Sequence, residues 1–320
     1  MFEAALVFNQ DINIWDMSNA TDLSHMFSGT KQFNQPLDKW NVSNASNFSH
    51  MFLNATAFNQ NINSWNMISA ANLSNMFAYA VNFNQPLNSW NVSSVSNFSY
   101  IFRDSKFNQP LNNWNVSNAT NISGIFANTS HFNQPLNNWD TSNVTNFDSA
   151  FNRASLFNQP LNSWNVSKGE NFRAIFANST IFNQPLSDWD LSSATSILYM
   201  FSKNTVFNQN ISRWNVSNVS NFISTFDGAT AFNQDISQWD TSSGLYFTSM
   251  FAFTTKFNQN ISSWNVSNGK TFSRMFQSAT AFNRNLSGWN VNNAIIYDYF
   301  NTNSSLSTSY TPYKFRYLNL

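Results

Sequence analysis

Apolar residues return along this chain at a fixed interval. Phenylalanine opens a short polar segment at Phe8, Phe33, Phe58, Phe83, Phe107, Phe132, Phe157, Phe182, Phe207, Phe232, Phe257 and Phe282. Tryptophan follows each seven positions later, at Trp15, Trp40, Trp65, Trp90, Trp114, Trp139, Trp164, Trp189, Trp214, Trp239, Trp264 and Trp289, which accounts for every tryptophan in the protein. The interval is 25 residues except between Phe83 and Phe107, where the segment after Phe102 is one residue shorter than its equivalents. Self-similarity at such a period marks stacked coils, each burying its apolar face on its neighbours. The twelve tryptophans should therefore form one buried structural ladder.

Two elements are predicted in each coil. Phe48, Met51, Phe52 and Ala55 are apolar at i, i+3, i+4 and i+7, with Ser46 placed to cap, which is the pattern of a short amphipathic helix. From Gln35 to Val42 the apolar residues Leu37, Trp40 and Val42 stand among polar neighbours, at a length that suits one short strand or extended arm. Pro36, Pro86, Pro110, Pro135, Pro160 and Pro185 follow glutamine in half of the copies. Proline has no N–H to give to an inter-coil ladder, so that position belongs at a strand start or corner. The fold expected is an α/β solenoid of about twelve repeats over residues 1–300, entered mid-repeat and without an internal boundary, followed by a tail or cap at 301–320.

Composition shifts attention to the surface. Only 9% of the residues are charged, and 15 basic side chains balance 15 acidic ones. The surface must be built of amides and hydroxyls, and no basic footprint for nucleic acid exists. No apolar run reaches the roughly 20 residues of a membrane span, and the start of the chain does not read as a signal sequence. With no cysteine, disulfides and thiolate metal sites are excluded.

The Phe-Asn-Gln openings, the Trp followed by Asn or Asp, and the Met-Phe pair resemble the BspA-like surface proteins, a branch of leucine-rich-repeat relatives. Phe232-Asn233-Gln234-Asp235-Ile236-Ser237-Gln238-Trp239-Asp240 shows the pattern well. The resemblance spans residues 1 to about 300. It implies a right-handed, leucine-rich-repeat-like coil stack, one strand and one helix per repeat, at a microbial surface and engaged in adhesion. No catalytic residue is carried across by it. The chain prefers Asn to Asp after Trp, which removes the acidic rows that divalent cations would need.

The residues that could carry chemistry have simpler roles to hand. His25, His50 and His131 fall at non-core positions and read as solvated surface histidines. Asp16, Asp140, Asp190 and Asp240 follow tryptophan where other copies carry asparagine. A calcium stripe wants several charged oxygens, whereas Asx side chains at a turn need only a backbone donor, so the turn role is expected. Neither catalytic residues, nor cofactors, nor metals are expected. The Asn-x-Ser triplets beginning at Asn41, Asn91, Asn115, Asn165, Asn215 and Asn265 are candidate glycosylation sites, although the repeat itself generates them.

The ends suggest assembly. Met1-Phe2 and Ala4-Ala5-Leu6-Val7-Phe8 read as the interior of an opened coil, and Tyr313-Lys314-Phe315-Arg316-Tyr317 alternates aromatic with basic residues like a strand with one apolar face. Phe2, Leu6, Tyr313, Phe315 and Tyr317 are the candidate contacts for end-to-end association into filaments, with self-capping as the other role for the C-terminal segment. The function expected is a non-enzymatic extracellular or cell-surface structural or adhesive repeat protein. Its partners would be itself, or a surface or matrix protein or glycan. The alternative is a soluble leucine-rich-repeat-like module for one protein or glycan partner.

Overall fold

The computed structural model describes residues 1–316. The chain forms two compact units, Met1–Trp164 and Asn165–Leu320, each a stack of coils in the 25-residue period. Among the described residues there is no α-helix, and parallel pairing is limited to single residues. In the first unit Asp22, Asn47, Asn72, Asn97, Asn121 and Asn146 pair in turn; in the second, Asn171, Ser196, Asn221, Tyr246, Thr271 and Ile296 do.

The expected helix is replaced by a strip of consecutive turns. Phe48, His50, Phe52 and Asn54 donate their N–H groups to the carbonyls of Asn72, Ser74, Met76 and Ala78 in the next coil, at 2.8–3.0 Å. Between them, Met51, Leu53 and Ala55 close turns onto Phe48, His50 and Phe52 at 3.0–3.2 Å. His50 and Asn54 stand third in their turns with φ of 59° and 58°, the feature of a type II turn. The apolar spacing is the helical one, because Phe48, Met51, Phe52 and Ala55 all point inwards and are fully buried. What differs is where the hydrogen bonds go. A helix this short is marginal by itself, whereas a parallel neighbour offers every second N–H an acceptor in the stacking direction. Ser46 is accordingly no cap: its N–H bonds Thr21 O at 2.9 Å, and its carbonyl receives Ala71 and Asn72.

The expected strand is also absent. Within Gln35–Val42 the chain turns, with Trp40 N–H on Leu37 O at 3.2 Å, and a second turn brings Ala45 N–H to Val42 O at 3.0 Å. Side chains link the coils here, in copies with proline and in copies without it.

Aromatic rings fill the interior. The opening phenylalanine of a coil stacks on the last phenylalanine of the turn strip, as in Phe52 with Phe58 at 3.9 Å and Phe226 with Phe232 at 3.9 Å between centroids. Successive tryptophans lie nearly parallel but 6.0–6.5 Å apart in the first unit, from Trp40 to Trp164, so they form a column without face contact. Eleven tryptophans are 2–5% exposed; Trp15, the outermost, is 37% exposed and does not belong to the buried ladder. Indole N–H groups reach the Leu or Ile carbonyl of the preceding coil, Trp65 to Leu37 O at 2.9 Å and Trp239 to Ile211 O at 3.1 Å being examples. The shortened segment after Phe102 keeps its Phe102–Phe107 stack at 3.9 Å, because the Ser105 hydroxyl accepts the Phe107 N–H.

At the C-terminal side the expected strand is instead two 3-10 turns, Thr308–Tyr310 and Tyr313–Phe315. Phe315 is 2% exposed, packed on Phe272, Tyr297 and Phe300 with centroids 4.6–5.4 Å away. Lys314 Nζ bonds the carbonyls of Asn292 and Ala294, and Arg316 bonds those of Thr311 and Ser309. The aromatic-basic alternation thus serves a cap: the ring goes in and the cations return to backbone acceptors of the last coil. Pro312, which has no N–H, stands between the two turns where a strand would need a donor.

Candidate functional site

The exposed polar rows are the most regular feature of the surface. In the first unit Asn9, Asn34, Asn59, Asn84, Asn108 and Asn133 each accept, on Oδ1, the N–H of the equivalent asparagine one coil on, at 2.8–3.0 Å. Asn183, Asn208, Asn233 and Asn258 do the same in the second, at 2.9–3.1 Å. Glutamine amides such as Gln60 and Gln234 join the same acceptors. A side-chain row therefore links successive coils, in copies with proline and in copies without it alike.

Shallow recesses open beside this row. One of about 870 Å³ is lined by Pro36, Asp38, Gln60, Asn61, Asn63, Ser64, Asn66 and Ser89, with the edge of Trp65 beneath. Another of about 310 Å³ lies among Asn112, Asn113, Asn115, Asn138 and Asp140. In the second unit, Asn260, Ser262, Asn283, Arg284, Asn285 and Tyr310 line one of about 330 Å³. Their walls are mostly amides and hydroxyls, with Asp38, Asp140 and Arg284 among them, and are already partly paired: Asn63 Nδ2 donates to Ser89 Oγ at 3.0 Å, and Asp38 accepts from Asn13 Nδ2 at 2.8 Å. Such walls offer hydrogen-bond donors and acceptors to a polar ligand.

The carboxylates after tryptophan take the turn role. Asp16, Asp140, Asp190 and Asp240 accept the N–H of Ser18, Ser142, Ser192 and Ser242 at 2.9–3.0 Å. The serine hydrogen bonds hold Asp16, Asp140 and Asp240 below the usual carboxylate range. Asn41, Asn91, Asn115, Asn165, Asn215 and Asn265 make the same turn with their following serines at 3.1–3.2 Å, and all six are exposed. Among the described residues, no three His, Cys, Asp or Glu side chains converge as metal ligands.

Two groupings escape a reading of the linear sequence. His25 and His50 stack at 4.5 Å between centroids, with Glu3 Oε1 3.3 Å from His25 Nδ1. Burial, and then the charge of His25, push the His50 pKa down. His131 alone behaves as a simple surface histidine, meeting Ser130. The second grouping gathers Tyr79, Tyr100 and Asp104 around Arg103. Both arise because residues one period apart become neighbours, a signal present in the repeat but visible only when copies are aligned.

Phe2 packs on Phe8 at 3.8 Å and on Phe27 at 5.8 Å, so it belongs to its own core, whereas Leu6 is 56% exposed. Tyr313 is 70% exposed. Phe315 is buried in its own cap and is not accessible to a second molecule in this arrangement. Tyr317 lies outside the described residues.

One titrating group has a clear consequence. Burial raises the Asp227 carboxyl to about 6, against a smaller opposing pull from Lys203. The folded state binds this proton more tightly than the unfolded chain, so the associated stability is fully present below about pH 3.8 and is lost as pH rises through about 6. Asp227→Asn should therefore stabilise the protein at pH 7.5 by about 1–2 kcal/mol, after discounting for partial solvent screening. The gain should shrink towards zero near pH 4. Urea unfolding of both proteins at the two pH values checks this, and an equal difference at both would contradict it.

The chain belongs to the family described as Mycoplasma protein of unknown function, DUF285, whose model matches residues 1–111, 67–149, 103–214 and 195–313. No curated protein matches it. Among solved structures, the Toll–Spätzle complex of Drosophila is similar at 14% identity and a TM-score of 0.26, over 88% of this chain and 43% of that one. The TLR13–ssRNA13 complex is similar at 10% identity and a TM-score of 0.21, over 91% and 53%. The chain thus spans about half the length of each.

Proposed function

We propose that this protein is a non-enzymatic structural or adhesive module of the extracellular or cell-surface space, of the BspA-like kind, whose partners are surface or matrix proteins or glycans. The observation that carries this reading is the registered row of exposed amides with polar recesses beside it, repeated in both units. A repeated neutral surface makes many weak, equivalent contacts with an extended target, and multivalency converts these into firm attachment. The exposed Asn41, Asn91, Asn115, Asn165, Asn215 and Asn265 would be open to glycosylation in a source with the machinery. Leu6, Val7 and Ile14 are exposed apolar side chains that would be the N-terminal contacts of end-to-end association. End-to-end growth through the other side would require the Phe315 cap to be displaced, so adhesion is the primary proposal.

The test uses the full chain on beads, passed over surfaces coated with mucin, collagen or fibronectin, with albumin-coated beads as control. Retention on at least one surface, little changed by raising salt to about 0.5 M, is the expected result, because contacts between neutral groups are not screened. Retention equal to the control on all three would overturn the proposal.

A further inference from the structure

The unit Met1–Trp164 departs from its own repeat between Tyr79 and Asn128. Tyr79 stands at the position of Asn54, Tyr100 at that of His50, and Gly124 follows Tyr100 one coil on. A Cβ on Gly124 would overlap Cδ1 and Cε1 of Tyr100, so only glycine lets that ring lie over the next coil. The Arg103 guanidinium is placed 5.4 Å from the Tyr79 ring centroid and 5.5 Å from that of Tyr100. Its Nε donates to Asp104 at 2.9 Å, and the other oxygen of Asp104 accepts from Asn128 Nδ2.

The backbone beneath is fixed by coil-to-coil bonds. Tyr79 N–H donates to Arg103 O, Tyr100 N–H to Ser123 O and Asp104 N–H to Ala127 O, at 2.7–2.9 Å. The Arg103 side chain is 42% exposed, and Nη1 and Nη2 have no hydrogen-bond partner among the described residues. A guanidinium near two rings and hydrogen-bonded to a carboxylate has less rotamer freedom to lose when a ligand arrives. Its unused edge presents parallel N–H donors to a planar carboxylate. Because Asp104 balances its charge, a bare anion gains little here. A ligand that also covers the rings of Tyr79 and Tyr100 gains more. Tyrosine and arginine beside apolar surface are the groups that dominate protein–protein contacts.

We propose that Tyr79, Tyr100 and Arg103 form a preorganised contact for a partner protein, receiving an Asp or Glu carboxylate of that partner on Arg103 while an adjoining apolar side chain covers the tyrosines. This deepens the adhesive reading and rests on it for biological context, but its chemistry can be tested separately.

The experiment follows the Arg103 Nε–H and the Tyr79 and Tyr100 ring resonances of the full chain by NMR. The probes are a blocked tetrapeptide with glutamate beside leucine, the same peptide with glutamine, and 3′-sialyllactose. The glutamate peptide should shift these resonances saturably, and the glutamine peptide should bind at least roughly tenfold more weakly. Arg103→Lys, which can neither stack nor fork, should weaken the glutamate peptide by a similar factor without changing the melting temperature. Tyr100→Leu should weaken it independently. Equal binding of the two peptides, or unchanged binding to Arg103→Lys, overturns the proposal; shifts with sialyllactose alone overturn it in favour of an acidic glycan. Peptide binding without bead retention would remove the adhesive reading and leave this site standing, and retention unaffected by Arg103→Lys, with no peptide binding, would do the reverse.

Discussion

Trp139→Ala is expected to destabilise the protein by about 3–5 kcal/mol. The indole is 3% exposed and lies between Trp114 and Trp164 at 6.5 and 6.0 Å, with Phe126 6.3 Å away. Since neighbouring indoles do not touch face to face, they cannot close over the vacated volume without moving their coils. The substitution also removes the Nε1 donor to Leu111 O at 2.9 Å, leaving that buried carbonyl with the Trp114 N–H at 3.0 Å as its remaining donor. Asn137, two residues earlier, is exposed; its side chain bonds Asn138 at 3.2 Å and Asn112 at 3.5 Å, contacts that water can replace, while its carbonyl, which accepts from Ser163, survives the substitution. Asn137→Ala should cost no more than about 0.5 kcal/mol. Urea unfolding of both variants provides the comparison, and near-equal losses would mean that the inner and outer faces of the arm have been exchanged.

Phe315→Ala should have the second-largest effect, about 3 kcal/mol, confined to the end of the second unit. Phe315 is the ring that seals Phe272, Tyr297 and Phe300, and the turns around it place Tyr310 O 2.8 Å from the Leu286 N–H. Without that ring, Lys314 and Arg316 still reach carbonyls, but exposed hydrogen bonds alone hold a terminal segment weakly. The Leu286 amide should then exchange with solvent roughly a hundredfold faster, since each 1.4 kcal/mol is tenfold. Amides of the first unit, such as Trp40, should keep their rates. Unchanged exchange at Leu286 would show that the cap is held by something other than Phe315.

The period and the inward-facing residues were legible because both depend on side-chain spacing alone. Phe48, Met51, Phe52 and Ala55 are buried whether the backbone that carries them is a helix or a chain of turns. The choice between those two is made by the acceptors of the next coil, which a single copy does not display. Positive φ at His25, His50, Asn54, Asn75 and Asn128 was foreshadowed by Asn and His, which tolerate that region, but Tyr79 and Tyr100 occupy it too and give no such sign. The arm shows the same limit. Its prolines signalled a missing donor in half of the copies, yet the asparagine row that links coils with and without proline appears only when Asn34 is set beside Asn59. The turn role of the Asp and Asn residues after tryptophan was readable, because an Asx turn is local. The His25–His50 stack and the Arg103 cluster were not, being contacts between copies.

In the turn strip every second amide, those of Phe48, His50, Phe52 and Asn54, bonds the next coil instead of its own. Hydrogen-bond scalar couplings, measured by NMR on deuterated full-length protein, identify the acceptor of each amide directly. The Phe52 N–H should couple to the carbonyl of Met76, and Asn54 to that of Ala78. Coupling of Phe52 to the carbonyl of Phe48, four residues back as in an α-helix, would contradict it.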